Sequence, residues 1–179
     1  MNHTTPSLII RDATDQDAAD IQRIYAHHVE TGTASFEEVA PDVATIAERR
    51  RTIVKGGTPY IVAVLDGKVH GFAYVSSFRP RSAYRHTVED SIYVDPQTTG
   101  KGIGTQLLSA LIERSTALGF RQMVAVIGGG QNVASINLHA RQGFKQVGHL
   151  QSTGFKLGAW VDTVFMQRAL GPGDTTLPQ

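Results

Sequence analysis

Between Thr98 and Leu108 the chain reads TTGKGIGTQLL, with glycines alternating with a lysine and an isoleucine ahead of an aliphatic run. Small residues at the mouth of a helix let backbone N–H groups converge on an anion at the positive helix end. Gly100, Gly102 and Gly104 suit that task, and Lys101 offers a counter-charge. Two nucleotide motifs do not fit. A Walker loop needs Ser or Thr after Gly-Lys, where Gly102 stands, and GxGxxG begun at Gly100 or Gly102 meets Thr105 or Leu107 in place of its third glycine. A tight turn with close helix packing is the other reading of the same glycines. Upstream, Arg79 and Arg81 flank Pro80, so in an extended segment both guanidinium groups can point the same way. Such forks suit carboxylate, phosphinate or sulfone oxygens; two solvated loop arginines are the alternative. With no cysteine in the chain, a thiol nucleophile, a disulfide and a zinc–thiolate site are excluded. His27, His28, His70 and His149 show neither HExxH spacing nor clustered carboxylates, so no metal site is expected.

These residues need elements to position them. Leu8 to Arg11 reads as a strand, followed by a helix with Thr14 and Asp15 as candidate caps and Ala18, Ile21, Tyr25 and His28 at helical spacing. Ala34 to Phe36 reads as a short strand, and Asp42 as the cap of a second helix ended by Gly56 and Gly57. Tyr60 to Leu65 and Val69 to Ser77 are strands joined by Asp66–Gly67, a strong hairpin signal. Thr87 to Val94 forms a strand running into the glycine stretch, with Val88, Ile92 and Val94 on one face and Glu89, Ser91 and Tyr93 on the other. Ile103, Leu107, Leu108, Leu111, Ile112 and Leu118 make a helical stripe ended by Gly119. Met123 to Ile127 is a strand, Asn132 caps a helix reaching Gln142, and Phe144 to His149 and Val161 to Gln167 complete the strands. Trp160 and Phe155 either join the core or border a cleft, with burial in the core the leading expectation for Trp160. Residues 1–170 form a single α/β domain, and 171–179, GPGDTTLPQ, form a tail expected to fray.

With this order in place, IYVDPQTTGKGIGTQLL resembles the coenzyme A-binding segment of the GNAT superfamily of N-acetyltransferases, and NVASINLHARQGF its second motif. The resemblance runs from about Leu8 to Leu170 and implies a mixed, mainly antiparallel sheet, splayed near its centre and flanked by helices. It implies that the coenzyme's pyrophosphate sits on the amides of Thr99, Gly100, Lys101, Gly102, Ile103, Gly104 and Thr105. The pantetheine would lie along Ile92, Tyr93 and Val94 as an added strand. Thr99 departs from the family's usual glutamine or arginine, at the cost of one side-chain phosphate contact. FRPRSAYRHTVEDSIYV resembles the phosphinothricin and methionine sulfoximine branch, which acylates the amines of small amino-acid analogues. That resemblance implies Glu89 as the base and Arg79, Arg81 and Tyr84 as substrate-pocket residues. An amine is mostly protonated at neutral pH, so acetyl transfer needs such a base; a solvated strand carboxylate is the bland alternative for Glu89. His139 stands where many members have tyrosine, and is either the acid that protonates the departing thiolate or a coenzyme contact. The resemblance implies Asn132 and Ser135 as coenzyme contacts, although a place at the helix start explains either without a ligand.

The implied reaction is direct transfer from acetyl-coenzyme A to a small amine in a ternary complex, with no metal. Acetylation of a protein N-terminus or lysine, and a coenzyme A-binding sensor without turnover, are the rival functions. The 179-residue chain has 41% hydrophobic and 18% charged residues and a net charge of +1, which suits a globular domain and no nucleic-acid or membrane-surface partner. No apolar run reaches the roughly 20 residues of a membrane span, and MNHTTPSLII lacks the pattern of a secretory signal. Cytoplasmic location is expected, and the family implies a homodimer.

Overall fold

The computed structural model of the chain describes residues 7–178, so part of the stretch read as lacking a signal lies outside the described residues. The described residues form seven strands in one sheet and four α-helices. In chain order these are β1 (Ile9–Asp12), α1 (Ala18–Thr31), α2 (Val43–Lys55), β2 (Tyr60–Leu65), β3 (Lys68–Ser77), β4 (Thr87–Val94), α3 (Ile103–Ala117), β5 (Gln122–Gly128), α4 (Val133–Arg141), β6 (Lys145–Lys156) and β7 (Ala159–Ala169). The strand order is β1-β2-β3-β4-β5-β7-β6, with every pairing antiparallel except β4–β5.

Local chemistry accounts for the elements. Asp17 closes the entry to α1: its carboxylate accepts from the Thr14 N–H at 2.7 Å and takes both arms of Arg11 at 2.8 Å. Asp42 caps α2 by accepting from the Thr45 N–H at 2.8 Å. Asp66 and Gly67 both take positive φ in the β2–β3 turn, as a two-residue hairpin of this twist requires.

Alternation along the strands feeds two cores. On one face Val88, Ile61, Ala73 and Met123 meet Ile103, Leu107, Leu108 and Leu111 of α3. On the other, Tyr60, Val62 and Phe72 meet Ile21, Ile24, Tyr25 and Val29 of α1. Tyr93 belongs to the second layer, and Ile92 and Val94 to the first. Leu118, expected in the α3 stripe, falls past the last helical turn and is exposed.

Three further expectations need correction. Ala34–Phe36 is a loop, because the Ser35 carbonyl accepts from Lys156 Nζ at 2.6 Å instead of from a neighbouring strand. The strand after Phe144 runs on to Lys156; its register slips between Leu150 and Gly154, with Ser152 at φ 51°, and this irregularity breaks the alternation that would reveal it. Trp160 is 68% exposed, since β7 turns its neighbour Val161 inward, and it meets Phe155 edge-on at 5.3 Å on the outer surface. Within 171–178 the Arg121 guanidinium donates to the carbonyls of Gly173 at 3.0 Å and Leu177 at 3.1 Å.

Candidate active site

The sheet parts in its middle. β4 and β5 pair only from Thr87↔Gln122 to Asp90↔Ala125, after which both strands continue without each other. On the β3 side the Asp95 N–H donates to the His70 carbonyl at 2.8 Å and the Phe78 N–H to the Thr87 carbonyl at 3.4 Å. Backbone alternation then turns the N–H and C=O of Ile92 and Val94 into the gap. His28 Nε2, 2.8 Å from the Val94 oxygen, donates to that carbonyl. Burial lowers the His28 pKa, in keeping with a neutral ring. This leaves both groups of Ile92 and the N–H of Val94 for an extended amide chain lying where a strand is missing. Nothing in the spacing of the histidines marked His28 for this place.

At the end of β4 the buried Asp95 accepts from Arg23 Nη1 at 2.8 Å and from the Gln97 N–H at 3.0 Å, setting the short turn Pro96–Thr98. Gly100 and Gly102 follow at φ 80° and 75°, with open space where a side chain would stand. Gly102 is the N-cap of α3 and contributes no side chain to its unpaired amides, so the amides of Ile103, Gly104 and Thr105 are left for an external acceptor. Gly104 has another duty: a Cβ there would stand 3.2 Å from a Leu138 methyl, so it lets α3 approach α4. The two readings of the glycine stretch thus divide between its members. The donors and open space suit a pyrophosphate.

Two cavities meet at the gap. One, of about 170 Å³, is lined by Asp90, Ile92, Asn132, Ser135 and His139. The other, of about 220 Å³, is lined by Ser35, Phe36, Glu89 and Thr163. Both include Ser91 and Tyr93 in their walls. Burial raises the Glu89 pKa; Arg79 pulls it back in part, and Asp90 adds to the rise. A carboxylate so tuned accepts protons more readily at neutral pH than a solvated one.

The arginine segment is bent and leads into a 3-10 turn at Ser82–Tyr84, so the extended geometry expected for it is absent. Arg79 donates to the Phe78 carbonyl at 2.9 Å and lies 4.3 Å over the Phe78 ring. Tyr84 stands edge-on to the same ring at 5.7 Å, 44% exposed. Arg81 is exposed and has no ion pair among the described residues. Lys101 is exposed beside the glycines, and Thr99 precedes them in extended conformation. Asn132 Oδ1 accepts from the Ser135 N–H at 3.3 Å and also reaches the cavity wall, so its capping and lining roles coexist.

The loop after α1 roofs the second cavity. Tyr25 and Ser35 share a hydroxyl–hydroxyl hydrogen bond of 2.8 Å, and the Tyr25 hydroxyl also donates to Glu37 at 2.9 Å. The Phe36 ring lies against the backbones of Gly128 and Gly154, where an added Cβ would come within 2.7 and 2.5 Å of it. The seat of the Phe36 ring was not legible in the sequence, because Gly128 and Gly154 lie more than ninety residues further along the chain.

Residues 21–144 match the profile of the acetyltransferase (GNAT) family. The phosphinothricin N-acetyltransferase of Alcaligenes faecalis is 52% identical over 170 residues, covering 95% of this chain and 86% of that protein. The L-methionine sulfoximine/L-methionine sulfone acetyltransferase of Pseudomonas aeruginosa is 43% identical, covering 93% and 96%. The crystal structure of a GNAT superfamily phosphinothricin acetyltransferase from Sinorhizobium meliloti in complex with acetyl-coenzyme A superposes with a TM-score of 0.93 at 51% identity, over 98% of this chain and 94% of that one.

Proposed function

The chain belongs to the acetyltransferase (GNAT) family, and on that premise we propose that it acetylates the amine of a small amino-acid analogue of the phosphinothricin or methionine sulfoximine kind. It is an acetyl-coenzyme A-dependent N-acetyltransferase with the GNAT fold. The observation that supports the site reading best is the position of Glu89, a half-buried carboxylate of raised basicity in the wall of the second cavity, two residues before Ser91, which lines both cavities.

The cosubstrate's thioester lies in the first cavity, its pantetheine on the edge of Ile92 and Val94 and its pyrophosphate on the turn from Thr99 to Thr105. The amine enters the second cavity. Glu89 takes the ammonium proton directly or through water, and the neutral amine attacks the thioester carbonyl. Arg79 holds the acidic end of the acceptor. Arg81 and Tyr84, on the exposed bend, complete that end as the acceptor seats. The transfer is direct within a ternary complex.

The enzyme works as a homodimer, and the exposed β6–β7 hairpin with Phe155, Leu157 and Trp160 supports a self-association face there. No helix of the described residues is long and apolar enough to cross a membrane. We place the enzyme in the cytoplasm.

The test is thiol release from acetyl-coenzyme A with phosphinothricin, methionine sulfoximine, methionine sulfone, ordinary amino acids and a short peptide, for the wild type and Glu89→Gln. Turnover with the analogues that collapses in the variant supports the reading. Turnover with the peptide alone overturns the acceptor. Coenzyme binding without release for any amine points to a sensor.

A further inference from the structure

Asp90 follows the proposed base but points to the opposite face of β4, where it is 6% exposed. It is the last β4 residue paired to β5 before the sheet parts. Its Oδ2 lies 2.9 Å from Nε2 of His139, and the other ring nitrogen, Nδ1, lies 2.7 Å from the Ser135 carbonyl oxygen. A carbonyl can only accept, so Nδ1 carries a hydrogen. One hydrogen lies between Nε2 and Oδ2, and the raised pKa of His139 puts it on the ring. His139, 4% exposed, is thereby held as an imidazolium against the wall of the first cavity.

Burial alone pushes the His139 pKa down, but the hydrogen bond and charge of Asp90, with the Ser135 carbonyl, outweigh it and hold the pKa above that of ordinary imidazole. The charged side chain acting on the ring is Asp90 of β4. Its own helix presents Ser135, and Phe144, just ahead of β6, presents an aromatic edge at 5.0 Å.

We infer that Asp90 is a positioning residue for the transfer: it holds His139 charged and fixed beside the thioester slot, so that a proton stands ready for the departing thiolate. This rests on the site reading above. When the carbon–sulfur bond breaks, its electron pair stays on sulfur, and sulfur takes a proton relayed from Nδ1 by the Ser135 hydroxyl to give the coenzyme thiol. The ring is left neutral with its Nε2–H still on Asp90. The Ser135 hydroxyl, 3.4 Å from Nδ1, can turn to donate to the emptied nitrogen. An ammonium group sheds two protons in becoming an amide. Glu89 passes both to water, and water recharges His139, so one proton ends on sulfur and one in solution. The acid and the base thus work from opposite faces of one strand.

Asp90→Asn is nearly isosteric and can donate to Nε2, keeping the ring in place as a neutral Nδ1–H imidazole. The wild type, Asp90→Asn and Asp90→Glu are compared by kcat and KM for acetyl-coenzyme A from pH 6 to 9, with methionine sulfone as acceptor. The protonation of the His139 ring nitrogens is read by NMR in the free enzyme. The expected result is a ring protonated on both nitrogens at pH 7.5 in the wild type and on one in Asp90→Asn. The Asn variant keeps KM for acetyl-coenzyme A within about twofold, loses tenfold or more in kcat at pH 8 and less at pH 6, and Asp90→Glu recovers part of that loss. A singly protonated ring in the wild type overturns the inference, as does an Asn variant whose kcat profile overlays that of the wild type. If Asp90→Asn does not fold, the wild-type ring measurement decides. A wild type that turns over no amine would fail the function and leave that measurement standing.

Discussion

At the residue scale the chemistry reduces to how two adjacent carboxylates differ. Glu89 faces a cavity with a raised pKa, whereas Asp90 faces a buried histidine. Glu89→Gln should lower kcat by about 10²–10⁴ near neutral pH, and the gap to wild type should narrow at high pH, where the acceptor is already a free amine. Arg79 draws the Glu89 pKa down, so Arg79→Ala should move the acid limb of kcat/KM to higher pH. The same change should raise the acceptor KM roughly 10- to 100-fold through the lost charge-assisted contact. A limb that stays put, measured with saturating acetyl-coenzyme A, would count against the proximity of the two groups. The side of the strand that Glu89 occupies was readable from alternation alone. The partner of Asp90 was not, because His139 is 49 positions away and no local period connects them.

At the scale of elements, the turn between β4 and α3 carries the heaviest constraint. Gly102 sits at φ 75° as the N-cap of α3, with open space beside it. Gly102→Ala should cost about 1–2 kcal/mol for the left-handed backbone and place a methyl in the space left for phosphate. A fall in Tm of about 2–8 °C together with a raised Kd for acetyl-coenzyme A, by calorimetry, is the expected outcome. Unchanged affinity would argue against the cradle. Elements with unbroken alternation or clear caps, such as β4 and α2, were legible to within a residue. The Ser35 loop, β6 and Trp160 were not. A contact from a distant segment displaced the Ser35 strand and a slipped register hid the length of β6, whereas Trp160 follows the alternation of β7 and was misplaced by its residue type.

At the scale of the whole molecule, stability against acid should depend on a few depressed carboxylates. Arg11 holds the Asp17 pKa down against burial, with help from Thr14, and Gln97 and Arg23 do the same for Asp95 against its burial. A depressed carboxylate contributes stability above its unfolded value near 3.9, and that contribution is lost as pH falls through the lower folded value. Tm should therefore drop steeply below about pH 4, and Asp17→Asn should be less stable at pH 7 yet flatter in that window. Light scattering or sedimentation of Trp160→Asp tests the association face. A wild-type dimer that becomes a monomer supports it, and a wild-type monomer refutes it.

The parted strands have a consequence beyond catalysis. An edge in the interior of a sheet is a place where any extended chain can pair by its backbone, whatever its side chains. Both backbone groups of Ile92 and the N–H of Val94 that face the gap form such an edge. Short peptidomimetic strands that end in an anion could occupy the same berth. On the proposed binding mode, the edge that takes the donor with few side chains is therefore also where a competitor with no chemical likeness to a thioester could block it.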